Sequence, residues 1–554
     1  MSHIKDITIQ NYRGIKNLYQ DFGDEKFIVL IGRGDSGKST ILSAIHAVLS
    51  PSWNLTFTDL DFHNQDTNTP IIIEATITEL PKEFLKESKY GLYLLNDLAT
   101  DDSPSNYFVK ICLTVDETLE PHWVVKARPE SSLEDKTISA ADRALLAVNY
   151  ITEYTDNQFS YNRQSPLYAL TKNHLTNDGT IEHVKAELIR SMSSSIDKDK
   201  LKPLNAPLES LKQTAEILGL NVNDLCAQVD IKENPYTGNS IALHDNKLPY
   251  RLHGKGSKRL MSIAIQSELT KQGGIVLIDE LEQGLEPDRS VTLTRILKDT
   301  SKGQVFITTH NADVISECEC HNLFVRHKDS TILLNVPENL NSCRRYNPSV
   351  FFAQKVILCE GDTEQGFLRA VDNWLGTDRH LNFSSHGVVL ANVGGGANMY
   401  IYALMLQELG YGVCVFADDD QPMQYKTYKD DCKSKKIQLF LCDEGKCIEQ
   451  QLLDDFTWND VLKIIQCNQD NFPKRHVIPS SNLKNQMEKC HSDEQKQIFR
   501  QEVASRAMND KWFKSIPGGE FLGSIFVESY NEIEDNACIK RNVISILKWC
   551  GIKK

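Results

Sequence analysis

A five-residue apolar run, Phe27-Ile28-Val29-Leu30-Ile31, leads directly into Gly32-Arg33-Gly34-Asp35-Ser36-Gly37-Lys38-Ser39-Thr40, and the helix-like sequence Ile41 to Leu49 follows. The pattern is G-x-x-x-x-G-K-S with a short buried strand before it and a helix after it, which commits this part of the chain to an α/β fold. Glycines let backbone N–H groups turn inward around a polyphosphate, and the helix N-terminus adds its positive end. Gly32, Gly34, Asp35, Ser36, Gly37 and Thr40 are the candidate cradle. Lys38 is placed to reach the terminal phosphates, and Ser39 to offer its hydroxyl to Mg2+.

At 554 residues the chain is too long for one core, so two or three domains are expected. Hydrophobic residues make up 40% and charged residues 25% of it, with no apolar run near the ~20 residues that a membrane span needs. The start, Met1-Ser2-His3-Ile4-Lys5-Asp6, has neither an apolar signal core nor an Arg-rich transit pattern, so a cytoplasmic protein without a membrane partner is expected. Fourteen cysteines without a repeated C-x-x-C pair point to a reduced compartment. Cys318-Glu319-Cys320-His321 lacks a second ligand pair at finger-like spacing, which argues against zinc. The net charge of −14 excludes a surface coated for nucleic acid, but not a local groove or an acidic cluster bridged to phosphates by Mg2+.

Further stretches extend the nucleotide site. Gly274-Ile275-Val276-Leu277-Ile278 is a continuous apolar strand ending in Asp279 and Glu280. Asp279 can hold Mg2+ through water, and Glu280 can orient or deprotonate an attacking water. Just ahead of it, His253-Gly254-Lys255-Gly256-Ser257-Lys258-Arg259 opens an apolar helix, which makes the turn around Ser257 a candidate anion-binding terminus. Val305 to Thr309 gives another buried strand, ending in His310. Between Pro70 and Val125, short β-rich runs suggest an antiparallel sheet. Residues from about Ser139 to Leu225 read as mostly helical, with helices over Ile181–Ile189 and Leu208–Leu218, Pro207 in the first turn of the latter, and a hairpin tip at Asp197–Pro203.

The string Ile9-Gln10-Asn11-Tyr12-Arg13-Gly14-Ile15, shortly before the glycine turn, resembles the opening of SMC-like and recombination-mediator ATPase heads. The resemblance implies ATP as the ligand and Arg13 beside it. It implies His63 or Gln65 as the glutamine-loop sensor and His310 as the switch histidine. The segment around Ser257 would bind the γ-phosphate of ATP held by a second subunit, giving a homodimer or higher homo-oligomer. Gly34 departs from the family, since many such heads carry Asn there. The 139–225 stretch occupies the place of a coiled arm but is far shorter, which fits a dimerisation or docking element.

A second acidic constellation follows Asn347-Pro348-Ser349. The strand-like Lys355-Val356-Ile357-Leu358-Cys359 ends in Glu360, with Glu364 in the first turn of the next helix. Gly412 to Ala417 is a second buried strand, tipped by Asp418, Asp419 and Asp420. Acid-tipped parallel strands can converge on a divalent cation, and hard carboxylates favour Mg2+ or Mn2+ over zinc. Strand alternation turns Asp419 away from such a site. A basic stretch, Lys426-Thr427-Tyr428-Lys429 through Lys433-Ser434-Lys435-Lys436, is a candidate grip on flanking phosphates.

Glu-Gly-x-x-Glu, then Val393-Gly394-Gly395-Gly396-Ala397-Asn398, then Asp-x-Asp resembles a Toprim domain, the metal fold of topoisomerases, primases and certain nucleases. An SMC-like head followed by Toprim resembles the OLD (overcoming lysogenization defect) nuclease family, whose relatives include the nuclease subunit of Gabija anti-phage systems. The resemblance implies Glu360, Glu364, Asp418 and Asp420 as metal ligands, with Glu449 as a further one and Lys514 as the lysine that neutralises the phosphate. Asp443 and Lys511 are the alternatives for those last two. Glu280, Glu360 and Lys514 are then the catalytic candidates. DNA is the implied substrate, with a companion defence protein or nucleic acid as a further partner. A topoisomerase is less well matched, because no strand-cleaving tyrosine domain is recognisable among the 18 tyrosines. The expected architecture is α/β: an ABC/SMC-type P-loop ATPase with an N-terminal lobe over 1–138, an inserted helical dimerisation element over 139–225 and a C-terminal lobe over 226–345. A Toprim domain with a C-terminal helical extension follows over 346–554.

Overall fold

The uninterrupted apolar runs become strands of parallel sheets, buried on both faces because helices cover each side. The computed structural model describes residues 2–96, 107–128, 132–151, 156–161, 165–174, 204–229, 241–270, 274–300, 303–379, 381–471 and 480–552. It divides into two compact units, Met1–Val336 and Pro337–Lys554. The expected helix over Ile181–Ile189 and the hairpin tip at Asp197–Pro203 lie outside the described residues.

In the first unit, a six-stranded sheet runs in the order Leu334–Asn335, Leu323–Val325, Phe27–Ile31, Gln304–Thr308, Ile275–Ile278, Val148–Ile151. All neighbours are parallel except the first pair. The P-loop strand and the strand leading to Asp279 are not adjacent. Gln304–Thr308 lies between them and pairs with both, so the acids reach the P-loop across one intervening strand. Within the stretch read as mostly helical, Val148–Ile151 is a strand that was not foreseen, pairing in register with Ile275–Ile278. With Asn149 and Tyr150 interrupting its apolar character, the strand is too short to leave a periodic signal.

The second sheet of this unit is antiparallel, in the order Ile15–Asp21, His3–Tyr12, Ile71–Thr78, Tyr107–Val115, Pro121–Val125, Lys136–Thr137. It contains the three β-rich runs read between Pro70 and Val125. Ile71, Ile73, Ala75 and Ile77 turn inward and share one core with Ile41, Leu42, Ile45 and Val48 of the helix Lys38–Leu49. Trp123 anchors that helix further, its Nε1 donating to the carbonyl of Ala47 at 3.1 Å. The glycine turn is thus held between two sheets by its own helix.

In the second unit, four parallel strands run in the order Val388–Asn392, Lys355–Cys359, Gly412–Ala417, Gln438–Leu441. Cys359 pairs with Phe416, which brings Glu360 and Asp418 to the same carboxyl edge. Helix Asp362–Arg379 crosses helix Ile516–Glu528 at glycines. A Cβ on Gly366 would stand 2.2 Å from the Ile516 carbonyl, and one on Gly519 would stand 2.2 Å from the Thr363 carbonyl. Backbones touch there, so Thr363 Oγ1 can donate to the Phe513 carbonyl at 3.0 Å. This contact sets Lys514 beside the helix that carries Glu364.

Candidate functional site

The head site is a closed set of hydrogen bonds. Lys38 curls back into its own loop, Nζ donating to the carbonyls of Gly32 at 2.9 Å and Arg33 at 2.8 Å. Gly32 has φ 135°, and a Cβ there would stand 2.4 Å from the Arg326 carbonyl, so only glycine fits. Arg326 is buried and braces the turn from outside, Nε donating to the Ser36 carbonyl at 3.1 Å. Burial pulls the Lys38 ammonium down to about 8, against the opposing pull of Asp279, Glu280 and Glu282. Ser39 Oγ donates to Asp279 Oδ1 at 2.9 Å, a hydroxyl and a carboxylate of the kind that could hold a hard divalent cation.

Thr308, at the end of the intervening strand, donates to the same Asp279 oxygen at 2.6 Å and accepts the Glu280 N–H at 2.7 Å. Glu282 accepts the Thr309 hydroxyl at 2.7 Å and the His310 N–H at 2.5 Å. Burial and the neighbouring Lys38 charge lower the His310 pKa. Gly34 and Asp35 are exposed at the loop crest, Asp35 with a left-handed φ of 58°, while Gly37 and Thr40 flank the helix start. Ser257 lies in the first turn of helix Lys255–Thr270, and a Cβ on neighbouring Gly256 would meet the Gly284 carbonyl at 2.7 Å. That helix contributes a residue not singled out from sequence. Arg259, 3% exposed, donates through Nη2 to the carbonyls of both Asp279 and, at 3.1 Å, Glu280. Thr308 and Arg326 were also missed. Each acts through or on backbone carbonyls and hydroxyls, which no short motif records.

Arg13 is engaged beside the P-loop helix. Its Nε donates to Asp61 Oδ1 at 2.9 Å and its Nη1 to Ser43 Oγ at 3.1 Å, on the flank of the P-loop helix. His63 Nδ1 is hydrogen-bonded to the Arg13 carbonyl at 2.9 Å, and Gln65 is exposed with φ 58°. Arg13 and His63 are thus bonded to each other beside the P-loop helix.

The second unit brings Glu360, Glu364, Asp418, Glu449 and Lys514 together. Asp418 accepts the Ile448 N–H at 2.6 Å, and its own N–H donates to Glu360 Oε2 at 3.1 Å. Glu364 accepts the Gly361 N–H at 2.8 Å. Its other carboxylate oxygen, and both oxygens of Glu449, are buried with no hydrogen-bond partner. Lys514 Nζ stands 3.2 Å from Glu449 Oε1, an ion pair lacking hydrogen-bond alignment. Burial, then Lys514 and the charges of Glu360 and Glu449, set the Glu364 carboxyl at about 7. Burial and the charges of Glu364, Glu360 and Glu449 push Asp418 up to about 9. Burial lowers the Lys514 pKa, but Glu449, Glu364 and Asp418 outweigh it and hold the ammonium above the ordinary lysine range.

Asp420 is exposed near Glu360, whose pKa is raised by burial and by Asp420. Asp419 turns away and pairs with buried Lys429. Within the basic stretch, Lys429 is committed to Asp419 and Lys435 pairs with Glu408 at 2.5 Å, while Lys426, Lys433 and Lys436 are exposed. Of the alternative occupants, Asp443 is engaged by Gln451 and Lys446, and Lys511 is exposed with φ 54°. Among the described residues, no three His, Cys, Asp or Glu side chains form a finished metal cage. The donor set nonetheless fits a hard divalent cation. It holds three buried carboxylate oxygens without hydrogen bonds, in a cluster whose like charges help to raise the pKa of Glu364 and Asp418.

Comparison with known proteins bears on both units. Residues 27–316 match the family described as AAA domain, putative AbiEii toxin, Type IV TA system. Residues 351–420 match the overcoming lysogenization defect protein-like TOPRIM domain. The chain belongs to that AAA-domain family and carries an OLD-type Toprim domain. This is the OLD-family pairing, an ABC/SMC-type ATPase head with Toprim, that the motif order implied. An ATPase domain joined to an OLD-like Toprim implies nucleotide and divalent-metal use, and chemistry of nuclease type.

No curated protein matches the chain. Among solved structures it is similar to the Smc head domain of Pyrococcus furiosus with an extended coiled coil bound to the ScpA C-terminal domain (14% identity, 61% of this chain and 96% of that one, TM-score 0.38). It is also similar to the recombination mediator protein RecF-ATPrS (15%, 61% and 98%, TM-score 0.37) and to the SMC head domain of Thermotoga maritima (12%, 60% and 99%, TM-score 0.30). Among the described residues, no helix of this OLD-family chain is long and apolar enough to cross a membrane.

Proposed function

We propose that this OLD-family chain is an ATP-controlled endonuclease that hydrolyses DNA phosphodiester bonds with Mg2+ or Mn2+ and serves in anti-phage defence. One observation carries the reading. Glu364 and Glu449 present buried carboxylate oxygens without hydrogen bonds, beside Asp418, Glu360 and Lys514. Glu360, Glu364, Asp418, Asp420 and Glu449 would hold the cations. When bound, divalent cations supply a water of lowered pKa and charge neutralisation at the phosphate. Lys514, kept charged by its acidic neighbours, neutralises the phosphate as negative charge develops on it.

In the head, Lys38 and the glycine turn bind the ATP phosphates, Ser39 and Asp279 hold Mg2+, and Glu280 orients the attacking water. His310 senses the γ-phosphate. Gly254 and Lys255, exposed at the start of helix Lys255–Thr270, favour contact with nucleotide held by a second copy, and so a homodimer or larger homo-oligomer. The 139–225 stretch would then dock or dimerise, and a companion defence protein or nucleic acid would trigger the assembly.

Asp418→Ala, assayed on supercoiled and linear DNA with Mg2+ or Mn2+, is expected to lose cleavage by at least about 100-fold while keeping ATP hydrolysis. Undiminished cleavage would overturn the assignment of the Toprim acids as the cleavage site. The open arrangement of the acids favours one second reading, an ATP-driven clamp with a non-catalytic Toprim. A chain inert towards DNA and RNA in every metal and nucleotide state would support it.

A further inference from the structure

Two of the most exposed large side chains in the second unit flank its acidic sheet edge. Tyr346 is 82% exposed and Met423 is 78% exposed. A glycine loop ties both to the site. Asn347, next to Tyr346, donates from Nδ2 to the Asn392 carbonyl at 2.7 Å. Asn392 in turn opens the loop, accepting the Gly394 N–H at 3.0 Å and donating to Asp362 Oδ1 at 2.6 Å. In mid-loop, a Cβ on Gly395 would lie 3.5 Å from Glu360 Oε1, and at the far end one on Gly396 would lie 3.7 Å from the Tyr425 hydroxyl. Tyr425 is two residues from Met423. Gly394-Gly395-Gly396 is therefore a floor without side chains that runs past Glu360, with Asn347, the neighbour of Tyr346, tied to one end and Tyr425, two residues from Met423, at the other.

Exposed cations stand beside both, Arg345 next to Tyr346 and Lys426 next to Tyr425. A floor bare of side chains lets a backbone-sized group approach Glu360, and the cations favour phosphates at each end. An exposed ring offers its face to a base, but a base inside a duplex is already stacked on both sides. An unpaired base is free to use that face.

We propose that this strip binds unpaired nucleotides, with a base stacked on Tyr346 beside the phosphate to be cut, so that the preferred nucleic acid carries a single-stranded end, flap or bubble. The proposal rests on the nuclease reading. Its test is binding by the full chain, with Ca2+ replacing Mg2+, to a single-stranded oligonucleotide carrying 2-aminopurine and to its duplex. Because Tyr346 is exposed, its variants should fold. Tyr346→Ala is expected to weaken single-strand binding about tenfold and remove the quenching of 2-aminopurine. Tyr346→Phe should preserve both, and duplex binding should be unchanged in either variant. Single-strand binding by Tyr346→Ala equal to that of the wild type would overturn the proposal and leave the nuclease reading standing. Equal losses on single strand and duplex would also overturn it, making the surface a general duplex contact. A wild-type chain that binds neither form would sink the nuclease reading together with it.

Discussion

The two sites of this chain lack opposite charges. In the head, Lys38 is buried, bonded to carbonyls and pushed down to about 8, so the loop is short of an anion. In the second unit, Glu364 and Asp418 are pushed up to about 7 and about 9, so the acidic edge is short of a cation. The polar partners differ as well. In the head, Asp279 and Glu282 accept hydroxyl and amide protons and the frame is prearranged. In the second unit, Glu364 Oε1 and Glu449 Oε2 are buried with no hydrogen-bond partner, and Glu449 Oε1 has only the ion pair with Lys514. A prearranged frame spends its interactions on geometry, whereas an unsatisfied one stores repulsion that a ligand relieves.

The largest expected effect would break the head's side of this contrast. Arg259 bridges the carbonyls of Asp279 and Glu280 from helix Lys255–Thr270, and Glu280 sits at a left-handed φ of 48° that such support must hold. Arg259→Met removes the bridge without touching nucleotide. ATP turnover should fall about 100-fold with nucleotide affinity nearly unchanged, because a small displacement of a positioned group costs that much. A split of this kind, kcat down and KM steady, separates positioning from general loosening of the head. Turnover within a factor of two of wild type would mean that Glu280 is placed by other contacts.

The next effect concerns the second unit and has the opposite sign from an ordinary buried-group substitution. A carboxyl whose folded pKa is raised binds its proton more tightly folded than unfolded, so stability falls as pH rises from about 4.5 to about 7. At pH 8 without divalent metal, Glu364 is ionised and repelled by its neighbours. Glu364→Gln keeps an oxygen to accept the Gly361 N–H and removes the charge. Urea unfolding in EDTA should therefore show the variant about 1–3 kcal/mol more stable than wild type. Adding Mn2+ should stabilise the wild type and leave the variant nearly unmoved. A variant that is less stable in EDTA would show that the pocket tolerates its charge, and the contrast between the two sites would be lost.

The sequence disclosed what local chemistry writes into short strings and concealed what depends on distant packing. Gly32 to Thr40, Asp279-Glu280 and Glu360-Gly361-Asp362-Thr363-Glu364 were legible because each holds its function within one turn of a strand–helix unit. Thr308, Arg259 and Arg326 were not, since their partners, a carboxylate and an amide N–H for Thr308 and backbone carbonyls for the two arginines, are far away in sequence. Val148–Ile151 escaped because four mixed residues carry no period. Lys429 shows how charge patterning misleads: in a run of lysines it reads as a phosphate contact, yet it is buried against Asp419. One legible clue was passed over. Gly366, Gly519 and Gly523 recur at helical spacing on two helices, the mark of a close crossing, and that crossing places Lys514.

The smallest expected effect returns to Lys38. In the free chain its ammonium loses its proton as pH rises through about 8, because burial disfavours the charge. Bound phosphates favour the charged form, so above that pH nucleotide binding must take up a proton. ATP affinity, measured by titration from pH 6.5 to 9.5, should be flat below about pH 8 and then weaken by up to about tenfold per pH unit. The slope should flatten again where the nucleotide-bound lysine itself titrates. An affinity that stays constant to pH 9.5 would mean that the loop holds Lys38 fully charged before any anion arrives. The head would then be charge-balanced as well as prearranged, and only the acidic edge of the second unit would be waiting for its counter-ion.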